Sequence, residues 1–268
     1  MRLFDTHAHI HDRDFAGEHD AVIARALEAG VVAILTLGVT AENSKRALAL
    51  ARQHHHVWAA AGVHPHDAAE ATDADLDALE EIARDPRIVA IGELGLDYYR
   101  NLSPHDRQIA VLHRQLATAS HVAKPIAVHA REAHHDMLPI LTEWSRAMHG
   151  RLPDGRPLGV MHYFSEDAAT AAKYVDLGFI ISVHTSVTHP KAEHLREVVR
   201  ETPLEYLVVE TDSPYGAPQR FRGKRNEPAY VAEAAAKVAE VKGLPVDTVA
   251  ETTTRNALNL FGIEVGAA

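Results

Sequence analysis

The chain contains no cysteine. That absence removes disulfide scaffolds, thiolate nucleophiles and sulfur-ligated zinc or iron–sulfur sites together, so any metal has to rest on nitrogen and oxygen donors. Long apolar runs are missing as well. Nothing approaches the ~18 consecutive apolar residues of a membrane span. The start, Met1-Arg2-Leu3-Phe4-Asp5, has no basic stretch leading into an apolar one. The sequence therefore reads as a soluble, cytoplasmic protein with no membrane partner. Positive charge is scarce: 27 Lys and Arg stand against 37 Asp and Glu, a net charge of -10. This is the opposite of the basic footprint of a protein that grips nucleic acid over its whole surface. A polyanionic substrate would have to be attracted locally.

What is present is ample for one core: 268 residues, 46% hydrophobic and 24% charged. Length alone allows one domain or two, since α/β barrels use about 250 residues as a single unit. Short β-rich apolar runs alternate with longer stretches of helical period, and no Pro/Gly/Ser-rich linker interrupts them. The runs predict eight strands: Leu3–His7, Val31–Leu37, Val57–Val63, Ile88–Gly92, Ile126–His129, Leu158–His162, Phe179–Val183 and Tyr206–Glu210. Helices are expected between them at Glu18–Ala29, Ala41–Arg52, Asp75–Arg84, Pro104–Val122, Ala133–Arg146, Asp167–Leu177 and Pro190–Arg200. Two more follow the eighth strand, Pro228–Val241 and Val246–Leu260. Eight right-handed β-α crossovers bring strand eight beside strand one, so the expected fold is a TIM-like (β/α)8 barrel with an extra C-terminal helix, residues 1–268 forming a single domain. An open doubly wound sheet is the rival. It is disfavoured because no glycine-rich phosphate loop follows any strand.

Twenty histidines are available as nitrogen donors, so their positions decide more than their number. The C-terminal ends of the predicted strands carry His7 and His9, His64, Glu93, His129, His162 and Asp212. Barrel enzymes place their chemistry on that face, where side chains distant in sequence converge. In His7-Ala8-His9 the period of two points both imidazoles to one side of a strand. A lone HxH pair is as readily two buried or surface histidines. Seven ligand-type residues on one barrel face are much harder to explain that way.

Other histidines read more blandly. His54-His55-His56 cannot share a face and suits a solvated helix end, as do His134 and His135, while His113 and His121 suit helix surface or packing. Tyr98, Tyr99 and Phe164 fit core packing and substrate stacking equally well.

The longer motifs resemble the TatD family of metal-dependent deoxyribonucleases. They are Phe4-Asp5-Thr6-His7-Ala8-His9, Gly62-Val63-His64-Pro65-His66 and Ile91-Gly92-Glu93-Leu94-Gly95-Leu96-Asp97-Tyr98-Tyr99. Pro125 to Arg131, Glu210 to Tyr215, Arg222 to Pro228 and Thr253 to Ala257 extend the similarity over nearly the whole chain. The resemblance implies His7, His9 and Asp212 on one metal, His129 and His162 on another, and Glu93 between them. It further implies 3′→5′ exonuclease action on single-stranded DNA, with RNA as a further substrate. The sequence departs from the family at Tyr163, where cysteine is common, and at His184-Thr185, where a small residue and glycine are usual. Neither departure touches a ligand, but both bear on loop shape near strand seven.

Two carboxylates among six ligands offset two of the four charges on a pair of divalent ions, leaving about +2 to attract phosphate. Arg131, Arg220, Arg222, Lys224 and Arg225 would add cations beside them, with Arg131, Arg222, Lys224 and Arg225 expected to bind substrate. Two ions ~3.5–4 Å apart lower the pKa of a shared water and stabilise an in-line displacement. Asp212 is expected to hold and deprotonate the water. Glu93 is expected to act with it, and His64 to contact the phosphate or leaving group. Magnesium and manganese suit phosphodiester chemistry, whereas the four histidines favour zinc or manganese. The partner is nucleic acid as substrate, and the chain is expected to be a monomer. The alternative is a bimetal amidohydrolase or esterase acting on a carbon centre, such as an aminoacyl-tRNA ester. A structural metal site is a third reading, disfavoured because six ligands shared by two ions leave positions open.

Overall fold

The computed structural model describes residues 1–148, 150–153 and 155–266. Eight strands run parallel in chain order: β1 Leu3–Ala8, β2 Val31–Leu37, β3 Val57–Ala61, β4 Ile88–Asp97, β5 Ile126–Arg131, β6 Gly159–Met161, β7 Phe179–His184 and β8 Leu207–Glu210. The ring is drawn shut at its C-terminal rim, where Asp212 N donates to His7 O (2.8 Å) and His9 N to Ser213 O (2.7 Å). Ala8 and Ser213 form a parallel bridge there. The barrel expected from the alternation of strands and helices is therefore present, and its strands are apolar almost throughout because both sheet faces are covered.

The covering helices are α1 His19–Glu28, α2 Ala41–Gln53, α3 Asp73–Ala83, α4 His105–Val122, α5 His134–Met148, α6 Ala168–Asp176, α7 Glu193–Glu201, α8 Val231–Lys242 and α9 Val246–Phe261. Side-chain caps set several starts. The Thr40 side chain accepts from Asn43 N ahead of α2, Thr72 and Asp75 form a capping box on α3, and Asp167 accepts from Thr170 N ahead of α6. Gly243 and Gly262 end α8 and α9 in the left-handed conformation that glycine adopts freely. A buried cluster draws on all eight strands, including Phe4, Leu35, Ala60, Val89, Ala127, Val160, Ile180 and Val208, and on the described helices only through α9 residues such as Leu260 and Phe261. That is the barrel interior, with the C-terminal helix plugging its N-terminal end and leaving the opposite mouth for polar residues.

The largest departure from the expected boundaries is β4, which runs past Gly92 to Asp97. Its second half pairs with β5 through Leu94↔Val128, Gly95↔His129, Leu96↔Ala130 and Asp97↔Arg131. The expected strand stops at Gly92. Here Gly95 instead permits a close approach, since its φ is +148° and a Cβ would collide with the His129 carbonyl. Strand β3 is shorter than expected, ending at Ala61, because Gly62 and Val63 leave the ladder as the chain turns toward His64.

Candidate metal centre

Strand ends bring His7, His9, His64, Glu93, His129, His162 and Asp212 together at one mouth, in a cavity of about 670 Å³ lined by most of them. His7 is fully buried, and Glu93, His9 and His162 are nearly so. Asp212 sits just past β8 with φ +57°, a left-handed conformation uncommon for residues other than glycine but tolerated by aspartate. That turn aims its carboxylate at the barrel axis.

The two carboxylate oxygens of Glu93 face different partners. Oε2 lies 3.2 Å from His7 Nε2 and 3.6 Å from His9 Nε2. Oε1 lies 3.0 Å from His129 Nδ1, 3.4 Å from His64 Nε2 and 3.6 Å from His162 Nε2. Asp212 Oδ1 joins the first side, 3.4 Å from His9 Nε2 and 3.8 Å from His7 Nε2. His7 Nε2 and His9 Nε2 are themselves 3.3 Å apart. Donors ~2.1 Å from a common ion at octahedral to tetrahedral angles lie about 3.0–3.4 Å from one another, so the shorter of these separations suit shared coordination, and those of 3.6 Å and 3.8 Å lie slightly beyond that range.

The outward-facing nitrogens fix which ring atom can offer a lone pair. His9 Nδ1 is 2.9 Å from Leu37 O, which can only accept, so Nε2 is free to ligate. His129 Nε2 is 3.1 Å from Asp97 Oδ2, which leaves Nδ1 toward Glu93. His162 Nδ1 faces Glu210 Oε1 at 3.0 Å, with Nε2 inward. His64 is the exception: its Nδ1 accepts from His66 N (3.1 Å), so the proton of the neutral ring sits on the inward Nε2.

The electrostatics tell the same story. Burial would raise the Glu93 carboxyl, yet the charges of His64, His162 and His7 hold it well below the usual carboxylate range. Burial likewise opposes the Asp212 charge, but contact with His9 and the charges of His162 and His7 bring it down to about 2. Burial also disfavours charge on His9, but Asp212 and Glu93 prevail and push it up to about 9. The same opposition at His129 is won by Asp97 and Glu93, again at about 9. A pocket that holds Glu93 and Asp212 ionised and His9 and His129 cationic, while burial pushes His7 and His64 toward the neutral form, favours positive charge at its carboxylates, and the nitrogen and oxygen donor set fits divalent metal.

A scan against family models matches residues 4–262 to the TatD related DNase family. The chain belongs to the TatD family. A TatD relative from Klebsiella pneumoniae, named a 3′-5′ ssDNA/RNA exonuclease, is 35% identical over 268 residues, covering 98% of this chain and 99% of that one. The metal-dependent hydrolase YabD of Bacillus subtilis is 38% identical over 261 residues, covering 97% and 99%. The crystal structure of YjjV, a TatD homologue from Escherichia coli, superposes with a TM-score of 0.90 at 33% identity, covering 98% of this chain and 99% of that one. With its donor cluster, this TatD protein is a metal-dependent hydrolase acting on ester bonds. Among the described residues, no helix is long and apolar enough to cross a membrane.

The expected cationic residues divide. Arg131 lines the cavity, whereas Arg222, Lys224 and Arg225 do not. Arg222 and Lys224 are exposed on the loop after β8. Arg225 is committed elsewhere, with Nη2 2.9 Å from Glu18 Oε2 and 3.1 Å from Glu227 Oε1. The ambiguous aromatics divide too: Phe164 is core, the Tyr98 hydroxyl donates to Asp136 Oδ2 (2.7 Å), and Tyr99 is exposed. His134 is not the solvated residue expected, since its Nδ1 is 2.8 Å from the Tyr174 hydroxyl.

Asp97, Glu210 and Arg100 escaped the reading of the sequence. Glu210 precedes Asp212 by two residues and Asp97 follows Glu93 by four, so even spacing was the signal that could have found both. Arg100 gave none, because only the turn after β4 carries it to the mouth.

Proposed function

We propose that this TatD protein is a nuclease that hydrolyses phosphodiester bonds of single-stranded nucleic acid from the 3′ end, DNA in preference to RNA, using two divalent ions. The observation that carries the reading is the division of Glu93, whose Oε2 faces His7 and His9 while Oε1 faces His129 and His162. His7, His9 and Asp212 would hold one ion, His129 and His162 the other, and Glu93 both. When bound, such a pair activates water and offsets charge on the phosphate.

The chain's own groups then divide the work. Asp212 turns Oδ1 to the imidazoles, and its Oδ2 is assigned as acceptor of the proton from the attacking water. His64 is held neutral by burial at about 4, so it acts as a hydrogen-bond donor from Nε2 to a phosphate or leaving oxygen rather than as an acid. This agrees with placing it outside the ligand set. Arg131 supplies a cation at the mouth, where the net charge of the protein supplies none.

The test is incubation of 5′-labelled DNA and RNA oligonucleotides with EDTA-treated protein and added magnesium, manganese or zinc. A ladder shortening from the 3′ end, abolished by chelation and restored by metal, is expected. Turnover of p-nitrophenyl carboxylate esters with intact oligonucleotides would overturn the reading in favour of a carbon-centre hydrolase.

A further inference from the structure

The side of the mouth formed by β4 and β5 carries cations that the ligand cluster does not use. Arg131 ends β5 two residues beyond His129, and Arg100 follows β4. Both line the cavity. Among the described residues neither guanidinium meets a carboxylate, whereas Arg25, Arg52, Arg114, Arg196 and Arg225 all do. In a protein of net charge -10, two uncompensated arginines beside a buried donor cluster are a local anion site.

An aromatic face belongs to the same patch. The Arg131 guanidinium carbon stands 3.8 Å from the centroid of the Tyr99 ring, and Tyr99 is 54% exposed. Arginine interleaved with an exposed aromatic ring is the surface on which unpaired bases stack while their phosphates are neutralised. The patch is also anchored to the catalytic mouth. Asp97, buried on β4, accepts from Tyr99 N (3.0 Å) and Arg100 N (2.8 Å) through Oδ1 while its Oδ2 meets His129 Nε2. One carboxylate thus sets the register between a candidate ligand and the platform.

We infer that Tyr99, Arg100 and Arg131 form a subsite for the nucleotide next to the scissile linkage on its polymer side, stacking the base on Tyr99 and pairing the adjoining phosphate with the two guanidiniums. The inference rests on the nuclease reading. It requires that base to be unpaired, which makes single-strand selection a property of this wall of the cavity, since a ring face cannot stack on a base held inside a duplex.

The experiment compares kcat/KM on two single-stranded oligonucleotides, one unmodified and one with a neutral methylphosphonate at the linkage beside the scissile one. Removing one charge-assisted hydrogen bond is expected to cost the wild-type protein about tenfold on the neutral oligonucleotide. The R100A/R131A double variant should lose that factor already on the unmodified oligonucleotide and nothing further on the neutral one. A 2-aminopurine at the same nucleotide, bound in the presence of EDTA so that no cleavage occurs, should be quenched by the wild-type protein and not by Y99A. If the losses from the double variant and from the methylphosphonate simply multiply, or Y99A quenches as the wild type does, the subsite is wrong while the nuclease stands. If the wild type leaves the unmodified oligonucleotide uncut with every metal, the nuclease reading falls and the subsite with it.

Discussion

The donor cluster at the barrel mouth and the cationic loop after β8 are both dense in one kind of charge chemistry, but the fold treats them differently. The cluster is buried and built from strand ends, and His9, His64 and His129 each have a second hydrogen-bond partner that orients the ring, whereas among the described residues the Nδ1 atoms of His7 and His162 have none, His162 Nδ1 facing Glu210 Oε1 at 3.0 Å as an ionic contact. His7 is located instead by stacking on His162, with ring centroids 3.4 Å apart. The loop from Arg220 to Arg225 is mostly exposed, and two of its cations are paired away, Arg220 with Glu233 and Arg225 with Glu18 and Glu227. Rigid strands hold charges that would be costly to bury alone. An exposed loop lets each charge find the nearest counter-ion. Residue type therefore says more about chemistry at a strand end than on a loop.

The sharpest way to break this comparison is at Glu93. Glu93→Gln keeps the shape of a buried side chain and removes the charge that both donor sets face. Since loss of a residue that merely orients a ligand costs about 10–100-fold, loss of this carboxylate should cost more than about 100-fold in activity. Both ions should be lost together, while circular dichroism stays native. Metal analysis showing two ions still bound at wild-type affinity would refute the bridging assignment.

Next in size are His7→Ala and His129→Ala, which should empty different positions. His7 meets Oε2 of Glu93 and His129 meets Oε1. Anomalous scattering from manganese-soaked crystals should show the ion beside His9 weakened in the first variant and the ion beside Glu93 Oε1 weakened in the second. Loss of the same peak in both would collapse the two donor sets into one.

Asp97→Asn should follow, with a loss of about tenfold in metal affinity confined to the His129 position. The amide keeps one oxygen but presents an N–H where Oδ2 now accepts from His129 and His66. Calorimetric titration resolving two sites would check it, and equal weakening of both sites would make Asp97 a general fold determinant.

How far these residues were readable from sequence follows the same division. The barrel and its seven clustered mouth residues were legible because strand ends obey a period of two and the fold brings them to one rim. Asp97 was hidden by a strand that continues through Gly92 and Gly95, which local propensity treats as a stop. Arg100 and the pairing of Arg225 depend on turns and on acidic residues far away in the chain, such as Glu18, and no local pattern encodes those meetings.

The smallest expected effects lie on the loop, and they separate its members. Arg222 and Lys224 are exposed and, among the described residues, paired with no carboxylate, so they remain open to a phosphate. Arg225 is not, because its guanidinium ties the loop to Glu18 and Glu227. We propose that replacing Arg222 and Lys224 by alanine weakens binding of single-stranded DNA. The log–log salt dependence should flatten by about 0.7 for each phosphate no longer neutralised, the slope expected for single strands. The loss on bis-p-nitrophenyl phosphate should be smaller, since that ester is too short to reach the loop, and metal content should be unchanged. Arg225→Ala should instead leave the salt slope as it is and lower Tm slightly, because the Glu18 carboxylate is exposed and the part-buried Glu227 keeps Arg25 as its partner. Anisotropy titrations of a labelled oligonucleotide at several salt concentrations decide between them. A flattened slope in Arg225→Ala would mean that its ion pairs open to admit DNA, and an unaltered slope in the Arg222 and Lys224 variant would return this loop to ordinary solvated surface.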